Sequence, residues 1–303
     1  MRIAVTGSSG LAGSALLSAL AGSGHRVIKL VRRGGTGKDQ VLWDPEAWTI
    51  DAVALRGIEA FVHLAGEPIN GRWTPERKTR IRESRVRGTR LIARTVAGLD
   101  PRPRVLVCAS AMGYYGDRAD EALTEESPPG RGFLADVAVQ WEAAAQSARD
   151  AGVRVVSARF GLIMAPKGGA LGPLKRVFQT GLGGKTGTGR QWWPWIAVED
   201  AAAAIRFVIE HDEISGPVNV VSPRMTTNAE FARTLARVVS RPAVLTVPAW
   251  AVKLLLGESG KELLLYSQRM APRKLQDAGF QWLLPDLEAA LRRQLRPRPS
   301  EEG

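Results

Sequence analysis

A glycine-rich turn near the start of the chain constrains the fold more than any other feature. Residues 2–5 form a short apolar run, the turn reads TGSSGLAG, and residues 11–20 carry apolar side chains at helical spacing. In the G-x-x-G-x-x-G spacing, Gly7 permits a tight turn, Gly10 lets backbone N–H groups approach a pyrophosphate, and Gly13 lets helix and strand pack closely. A strand, this turn and a helix predict a dinucleotide site with the phosphates at the helix N-terminus. The alternative is a turn with a structural role only.

Strand and helix patterns alternate through the first half of the chain. Near-continuous apolar runs lie at 26–31, 60–65, 104–109 and 153–158, and helical patterns lie at about 75–97 and 133–150. This alternation predicts an α/β fold with a doubly wound parallel sheet of the Rossmann type. We therefore assign residues 1–165 to a dinucleotide-binding Rossmann domain.

The pattern changes after about residue 165. Glycine-rich loops precede helical patterns near 200–210, 227–239, 248–256 and 286–295, with short strands near 217–221 and 243–247. We expect residues 166–303 to form a smaller α+β domain on the substrate side, with some segments rejoining the Rossmann sheet. The charged, proline-rich end from Arg296 predicts a frayed tail.

The chain is strongly basic, with 42 Lys and Arg against 30 Asp and Glu, a formal charge of +12. Residues 72–94 hold nine of the basic residues and two acids, so this stretch alone contributes +7. Such a charge favours a polyanion or an anionic ligand as partner. No motif that reads RNA or DNA accompanies it, so we expect no specific nucleic-acid partner. Nucleic-acid binding through charge alone is the weaker alternative.

Cysteine content and hydropathy exclude several classes of protein. Cys108 is the single cysteine, which excludes a disulfide scaffold and a cysteine-based zinc site, and we expect no metal. No apolar stretch reaches the roughly 18 residues of a spanning helix, so no membrane partner is expected. The strand pattern that begins at Arg2 leaves no room for a signal peptide, which predicts a cytoplasmic location.

Arginines stand where a phosphate is expected. Arg32 and Arg33 end the second strand pattern, where an NAD site would carry an acid for the ribose 2′-OH. A planar guanidinium suits a 2′-phosphate, so we expect NADP(H) rather than NAD, the alternative being two solvated loop arginines. Arg85 lies on the buried stripe of the basic helix, four residues after Ile81. A buried arginine needs an anion, so Arg85 is a candidate phosphate or ribose contact.

Longer motifs carry a resemblance that covers almost the whole chain. They read HLAGEPINGRW, SAMGYYGD, FGLIMAPKGGAL, GLGGKTGTGRQWWPWIAVEDAA and NAEFARTLA. With these, the chain resembles the atypical extended short-chain dehydrogenase/reductases. Within them it is similar to the nucleoside-diphosphate-sugar epimerase-like subfamily, which has a small C-terminal domain. The resemblance implies a Rossmann domain that binds NADP(H), a C-terminal domain that closes over a cleft for a small-molecule substrate, and a homodimer as one possibility.

The resemblance also implies cofactor contacts. The glycine turn would hold the pyrophosphate, Arg32 the 2′-phosphate, and Leu64 and Ala65 a ribose, while Arg80 stands where some relatives carry an acid. The full set of expected cofactor residues is Gly7, Ser8, Ser9, Gly10, Leu11, Gly13, Arg32, Arg33, Leu64, Ala65, Gly66, Arg85, Ser110 and Arg159.

The chain departs from this family at the catalytic residues. Extended short-chain enzymes use a Tyr-x-x-x-Lys pair, in which the lysine lowers the pKa of the tyrosine that moves a proton. Those positions fall near Leu134 and Ala138, and no one-residue shift restores the pair. The side chains that remain near the expected nicotinamide site are Ser110, Tyr114, Tyr115 and Asp136. We take the first three as the candidates for catalysis.

Two functions therefore remain open. The first is an NADP(H)-binding, epimerase-like oxidoreductase with a nonstandard active site. The alternative is a non-catalytic NADP(H)-binding sensor or partner-binding protein.

Overall fold

A mainly parallel sheet of eight strands organises the chain. The computed structural model describes residues 1–34, 37–166 and 168–296, so the tail expected beyond residue 296 lies outside the described residues. The strands are β1 (Arg2–Thr6), β2 (Arg26–Val31), β3 (Gln40–Asp44), β4 (Thr49–Ile50), β5 (Ala60–His63), β6 (Val105–Ala111), β7 (Ala122–Leu123), β8 (Arg154–Phe160), β9 (Leu162–Met164), β10 (Gly184–Thr186), β11 (Trp195–Ala197), β12 (Gly216–Val220), β13 (Leu245–Val247) and β14 (Arg269–Met270).

The order of the large sheet is β12-β8-β6-β5-β1-β2-β3-β4. Every pair in it is parallel except β3 with β4. The chain winds outward from β1 in one direction through β2 and β3, and in the other through β5, β6, β8 and β12. The doubly wound α/β class expected from the sequence is confirmed, and the order reverses at the carboxyl ends of β1 and β5, where ligands bind in such sheets.

Helices cover both faces of the sheet. They are α1 (Leu11–Ala21), α2 (Pro75–Gly98), α3 (Phe133–Ala143), α4 (Gln146–Asp150), α5 (Leu171–Gln179), α6 (Val198–Glu210), α7 (Asn228–Val238), α8 (Ala249–Leu256), α9 (Glu258–Gly260), α10 (Arg273–Asp277) and α11 (Leu287–Leu295). On one face α1 and α6 share a buried core, to which Leu16 and Ile205 belong. On the other face α2 and α4 pack together, with Ile92 and Ala148 in a second core.

Local sequence sets the ends of these helices. Thr74 accepts a hydrogen bond from the N–H of Arg77 at 3.2 Å, and Pro75 occupies the first turn of α2, where its missing N–H costs nothing. The single helix expected over 133–150 is interrupted after α3. Arg149 in α4 donates to the carbonyl of Glu142 at 3.1 Å, which satisfies an acceptor near the end of α3.

The second half of the chain contributes both to the large sheet and to a smaller core. β12 is the outer strand next to β8, and α6 packs on α1. Beyond them, β9 pairs with β11, β10 with β13 and β7 with β14. A separate apolar core includes Trp195, Phe231 and Leu291. Among the described residues, no helix has both the length and the apolar character needed to cross a bilayer.

Candidate functional site

The glycine turn between β1 and α1 is built as its spacing predicts. Gly7 has φ +67°, and a side chain there would come within 2.8 Å of the backbone at Leu64 and Ala65. A Cβ at Gly13 would lie 2.1 Å from the carbonyl oxygen of Gly7, so only glycine lets α1 approach the turn. Gly10 is the N-cap of α1, and within the described residues no side chain caps the N–H groups of the first turn. These N–H groups are suited to bind an anion.

Hydrogen bonds from Thr6 tie β1 to β5 beneath this turn. The Thr6 hydroxyl lies 2.7 Å from Nδ1 of His63 and accepts from the N–H of Leu64 at 3.2 Å. His63 is fully buried against Trp43, and burial lowers the pKa of its imidazole to about 3. The ring is therefore neutral at pH 7, and its role is to hold the strand ends in place.

A groove of about 720 Å³ opens at the carboxyl ends of β1, β2 and β5. Its lining includes most of the residues expected to contact a cofactor: Gly7, Ser8, Ser9, Gly10, Arg32, Arg33, Leu64, Ala65 and Gly66. It also includes residues outside that set of expected cofactor contacts: Trp43, Pro45, Glu46, Glu67, Pro68, Arg80, Glu83, Ser84 and Arg87. The size suits a small-molecule ligand, because such pockets commonly measure about 300–1,000 Å³.

Arginines give one end of the groove its positive charge. Arg32 and Arg33 are exposed and, within the described part of the chain, form no ion pair. They line a recess of about 490 Å³ next to the groove, with Glu46 on the same wall. Arg87 donates to the carbonyl of Glu46 at 3.0 Å, which anchors this wall to α2. Two unpaired guanidinium groups at the end of β2 suit a phosphate.

Arg85 lies at the edge of the groove. Its Nη1 donates to the carbonyls of Glu67 and Ile81 at 3.0 and 3.1 Å, and its guanidinium is within 3.6 Å of the position that a Cβ on Gly66 would occupy. Burial lowers the pKa of Arg85 to about 10, so the group stays charged at pH 7. The structure thus brings Arg85 next to the expected ribose contacts, and its predicted role toward the cofactor stays a prediction.

Two of the three catalytic candidates belong to a buried polar network. Ser110, at the end of β6, donates to Oε1 of Glu142 at 2.6 Å. Arg159 binds both carboxylate oxygens of Glu142, at 2.8 and 2.9 Å, and donates from Nη1 to the Tyr115 hydroxyl at 2.9 Å. That hydroxyl also lies 2.7 Å from Oδ1 of Asn219. Arg159, expected to contact the cofactor, thus donates four hydrogen bonds to other residues of the protein, the fourth from Nη1 to the carbonyl of Glu125 at 3.3 Å.

Burial limits the proton chemistry of this network. Tyr115 is fully buried, and burial raises the pKa of its phenol to about 12. Burial would lower the pKa of Arg159, but its hydrogen bonds to Glu142 outweigh this effect and hold the pKa above the usual value. Both groups therefore keep their protons at pH 7, and the network is suited to structural support.

Tyr114 differs from its neighbour. Its ring stacks on the guanidinium of Arg159, 3.4 Å from the ring centroid, and it is only half-buried. Its hydroxyl makes no hydrogen bond to the part of the chain that the structure describes. Among the three catalytic candidates, Tyr114 is therefore the side chain with a free hydroxyl.

The positions of the missing catalytic pair are apolar. Leu134 packs against Gly113, whose added Cβ would lie 2.8 Å from that of Leu134, and Ala138 is buried. Glu262 caps the start of α3 from the C-terminal region and accepts from the N–H groups of Phe133 and Leu134 at 2.8 and 2.9 Å. The first turn of α3 is thus held in place by a carboxylate that stands far away in sequence.

We next consider groups of possible metal ligands and the single cysteine. The described residues contain no group of three or more His, Cys, Asp or Glu arranged to hold a metal ion. Cys108 is buried inside β6, and burial raises the pKa of its thiol to about 12. The thiol is therefore protonated at pH 7 and is a poor nucleophile.

The match to a family model decides the classification. Residues 3–221 match the model of the NAD dependent epimerase/dehydratase family. The chain belongs to this family. Residues 247–294 match a second model, described as a domain of unknown function, DUF1731. The family expected from the sequence motifs is confirmed, including a distinct C-terminal region.

The sequence similarity to known proteins extends over nearly the whole chain. An epimerase family protein of Mycobacterium bovis is 41% identical over 281 residues, which cover 92% of this chain and 93% of that protein. The epimerase family protein YfhF of Bacillus subtilis is 38% identical over 296 residues, which cover 96% of this chain and 97% of that protein.

Two solved structures are similar in fold and sequence. The human epimerase family protein SDR39U1 (isoform 2), crystallised with NADPH, superposes with a TM-score of 0.90 at 32% identity, covering 97% of this chain and 99% of the human one. A nucleoside-diphosphate sugar epimerase of Corynebacterium glutamicum gives a TM-score of 0.81 at 37% identity, covering 97% of this chain and 58% of that one. This chain is an epimerase-like member of an NAD(P)-binding family.

Proposed function

We propose that the groove binds NADP(H) and that the chain is an oxidoreductase for a small hydroxylated or carbonyl substrate. The observation that carries the proposal is the pairing of the glycine turn with Arg32 and Arg33 at the far end of the same groove. In a bound NADP(H), the pyrophosphate lies at the glycine turn and the 2′-phosphate lies at the end of the second strand. The NADPH in the crystal structure of the human relative supports the same choice of cofactor.

Different residues of the groove would bind different parts of the cofactor. The turn at Gly7 and the uncapped start of α1 would hold the pyrophosphate, and Arg32 with Arg33 would neutralise the 2′-phosphate. Leu64 and Ala65 would contact a ribose. When bound, the nicotinamide ring supplies hydride exchange at its C4. The chain must then supply a proton at the substrate oxygen, and Tyr114 is the candidate.

Stacking on Arg159 suits Tyr114 to this role. A cation over the ring face is attracted to the π system, which fixes the orientation of the ring and with it the position of the free hydroxyl.

Binding of NADPH and NADH to matched variants tests the cofactor. We expect Arg32→Ala to weaken NADPH binding about 10- to 100-fold, the value of one lost charge-assisted hydrogen bond, and to change NADH binding far less. Arg94→Ala, which removes an exposed arginine of α2 outside the groove lining, is the control. An equal loss for both cofactors would contradict the 2′-phosphate assignment.

A non-catalytic NADP(H)-binding protein is the second candidate. The observation that favours it is the apolar pair Leu134 and Ala138 where the Tyr and Lys would stand, together with the burial of Ser110 and Tyr115. In that case NADPH binding would control a conformation or a partner and no substrate would be reduced.

Tyr114→Phe separates the two candidates. If the chain is an oxidoreductase, the wild type oxidises NADPH with some member of a carbonyl metabolite panel, and Tyr114→Phe lowers kcat at least about 100-fold while NADPH binding stays unchanged. No oxidation by the wild type across the panel, with tight NADPH binding, would support the second candidate.

A further inference from the structure

Exposed apolar side chains are concentrated on one part of the C-terminal region. Eleven large apolar residues are exposed in the described part of the chain, and seven of them lie in two short segments: Val177, Leu182, Val244, Leu245, Trp250, Leu254 and Leu255. Trp250, Leu254 and Leu255 on α8 are each 68–69% exposed. Scattered exposed apolar residues are normal, but a cluster marks an interaction surface.

The two segments are neighbours in space. β10 pairs with β13, which brings the turn before β10 next to Val244 and Leu245. Arg241 donates from Nε to the carbonyl of Gln179 at the end of α5, at 3.2 Å. α8 follows β13 directly, so α5, β10, β13 and α8 are neighbouring elements, and their exposed residues are here called the α5–α8 surface.

The two segments that carry this surface are basic. Residues 168–198 and 231–257 contain eight Lys and Arg and no Asp or Glu. Arg237 pairs with Glu288 on α11. The other seven have no ion-pair partner in the described residues: Lys175, Arg176, Lys185, Arg190, Arg233, Arg241 and Lys253. Two segments of the chain thus supply two-thirds of its net charge of +12.

We propose that the α5–α8 surface docks on membranes rich in anionic lipids. Protruding Trp and Leu side chains bordered by unpaired Lys and Arg are the combination that holds a helix in the headgroup region. Each basic residue near an anionic surface adds to the attraction, and tryptophan favours the interface between water and acyl chains. A second copy of this chain fits poorly, because the same positive charge would face itself.

This docking needs no spanning helix and does not depend on the cofactor groove. An exposed apolar surface of this kind would place the C-terminal region against the bilayer and leave the opposite parts of the chain in water. The proposal therefore concerns where the protein acts, and the NADP(H) proposal concerns what it binds.

Vesicle co-sedimentation tests the proposal with the full chain. The probes are vesicles of phosphatidylcholine alone and of phosphatidylcholine with phosphatidylglycerol. We expect wild type to bind the second kind only, and to be released as salt rises. Leu254→Ser with Leu255→Ser, and separately Lys175→Glu with Arg176→Glu, should each weaken that binding more than about tenfold.

Matched control variants distinguish a local surface from general stickiness. Val53→Ser with Leu283→Ser removes two apolar side chains that are each 69% exposed elsewhere. Arg90→Glu with Arg94→Glu makes the same change in net charge on the exposed side of α2. Both controls should bind within about twofold of wild type, and thermal melting confirms that each variant is folded.

Three results would overturn the proposal. The first is no binding of wild type to either vesicle, which is the outcome expected if the surface serves an acidic protein. The second is equal binding to both vesicles. The third is an equal loss of vesicle binding in the Arg90→Glu, Arg94→Glu control, because net charge alone would then explain the binding.

Discussion

The buried pair of Arg159 and Glu142 offers the sharpest test of how this site is held together. The Arg159 side chain is 3% exposed and that of Glu142 is 14% exposed, with two N–O distances of 2.8 and 2.9 Å. Arg159→Met keeps the side-chain volume but, within the described residues, leaves Ser110 as the remaining hydrogen-bond partner of the Glu142 carboxylate. Leaving one member of a buried pair uncompensated costs about 3–5 kcal/mol. We therefore expect the free energy of unfolding, measured with urea, to fall by about that amount.

A double variant separates the charge from the packing. Glu142→Gln with Arg159→Met removes both charges, so most of the lost stability should return, because the penalty comes from the isolated carboxylate. Glu258→Gln, which breaks the exposed pair with Lys78, is the control and should cost less than about 1 kcal/mol. A double variant no more stable than Arg159→Met, or a single variant as mild as the control, would refute the reasoning.

Three further predictions follow from features of the groove and of α3. Because burial lowers the pKa of His63 to about 3, only the unfolded chain binds that proton between pH 6.5 and about 3. The free energy of unfolding should therefore decrease as the pH is lowered from 6.5 to about 3, by up to about 1.4 kcal/mol per pH unit from this group. His63→Asn should flatten this slope in urea titrations. Gly13→Ala should abolish NADPH binding in calorimetry, because its Cβ would lie 2.1 Å from the Gly7 carbonyl, whereas Gly22→Ala, with open space around it, should not. Glu262→Ala should lower the free energy of unfolding by about 1 kcal/mol through the lost cap of α3, and an unchanged urea midpoint would contradict this.

The sequence was sufficient for the parts of the fold that rest on local pattern. The turn around Gly7, the apolar strands and the start of α2 at Pro75 follow from spacing and capping, and the structure has them where expected. β3 was missed because its residues alternate between exposed and buried and lack the continuous apolar run of β1 and β5. Trp43 and Glu46 of the groove wall were missed with it. A search for side chains that alternate between apolar and polar over residues 40–44 would have indicated a strand with one buried face, formed by Val41 and Trp43.

The site was predictable only where a motif fixes the backbone. Arg80 and Arg87 both line the groove because they are seven residues apart and so lie on one side of α2. The many charged residues of this helix had suggested that both were only solvated. The network around Arg159 could not be predicted from the sequence, since its members come from β6, the turn after it, α3, β8 and β12. The boundary at residue 165, the catalytic roles and a homodimer stay predictions.

The position of β12 beside β8 has a consequence for synthesis of the protein. The ribosome releases the N-terminal strands first, and β8 emerges well before the residues that complete the sheet next to it. Until Val220 is available, the outer edge of β8 presents unpaired backbone groups, which are a template for intermolecular pairing. A nascent or truncated chain that ends near residue 165 is therefore expected to need a chaperone, although it contains the whole glycine turn.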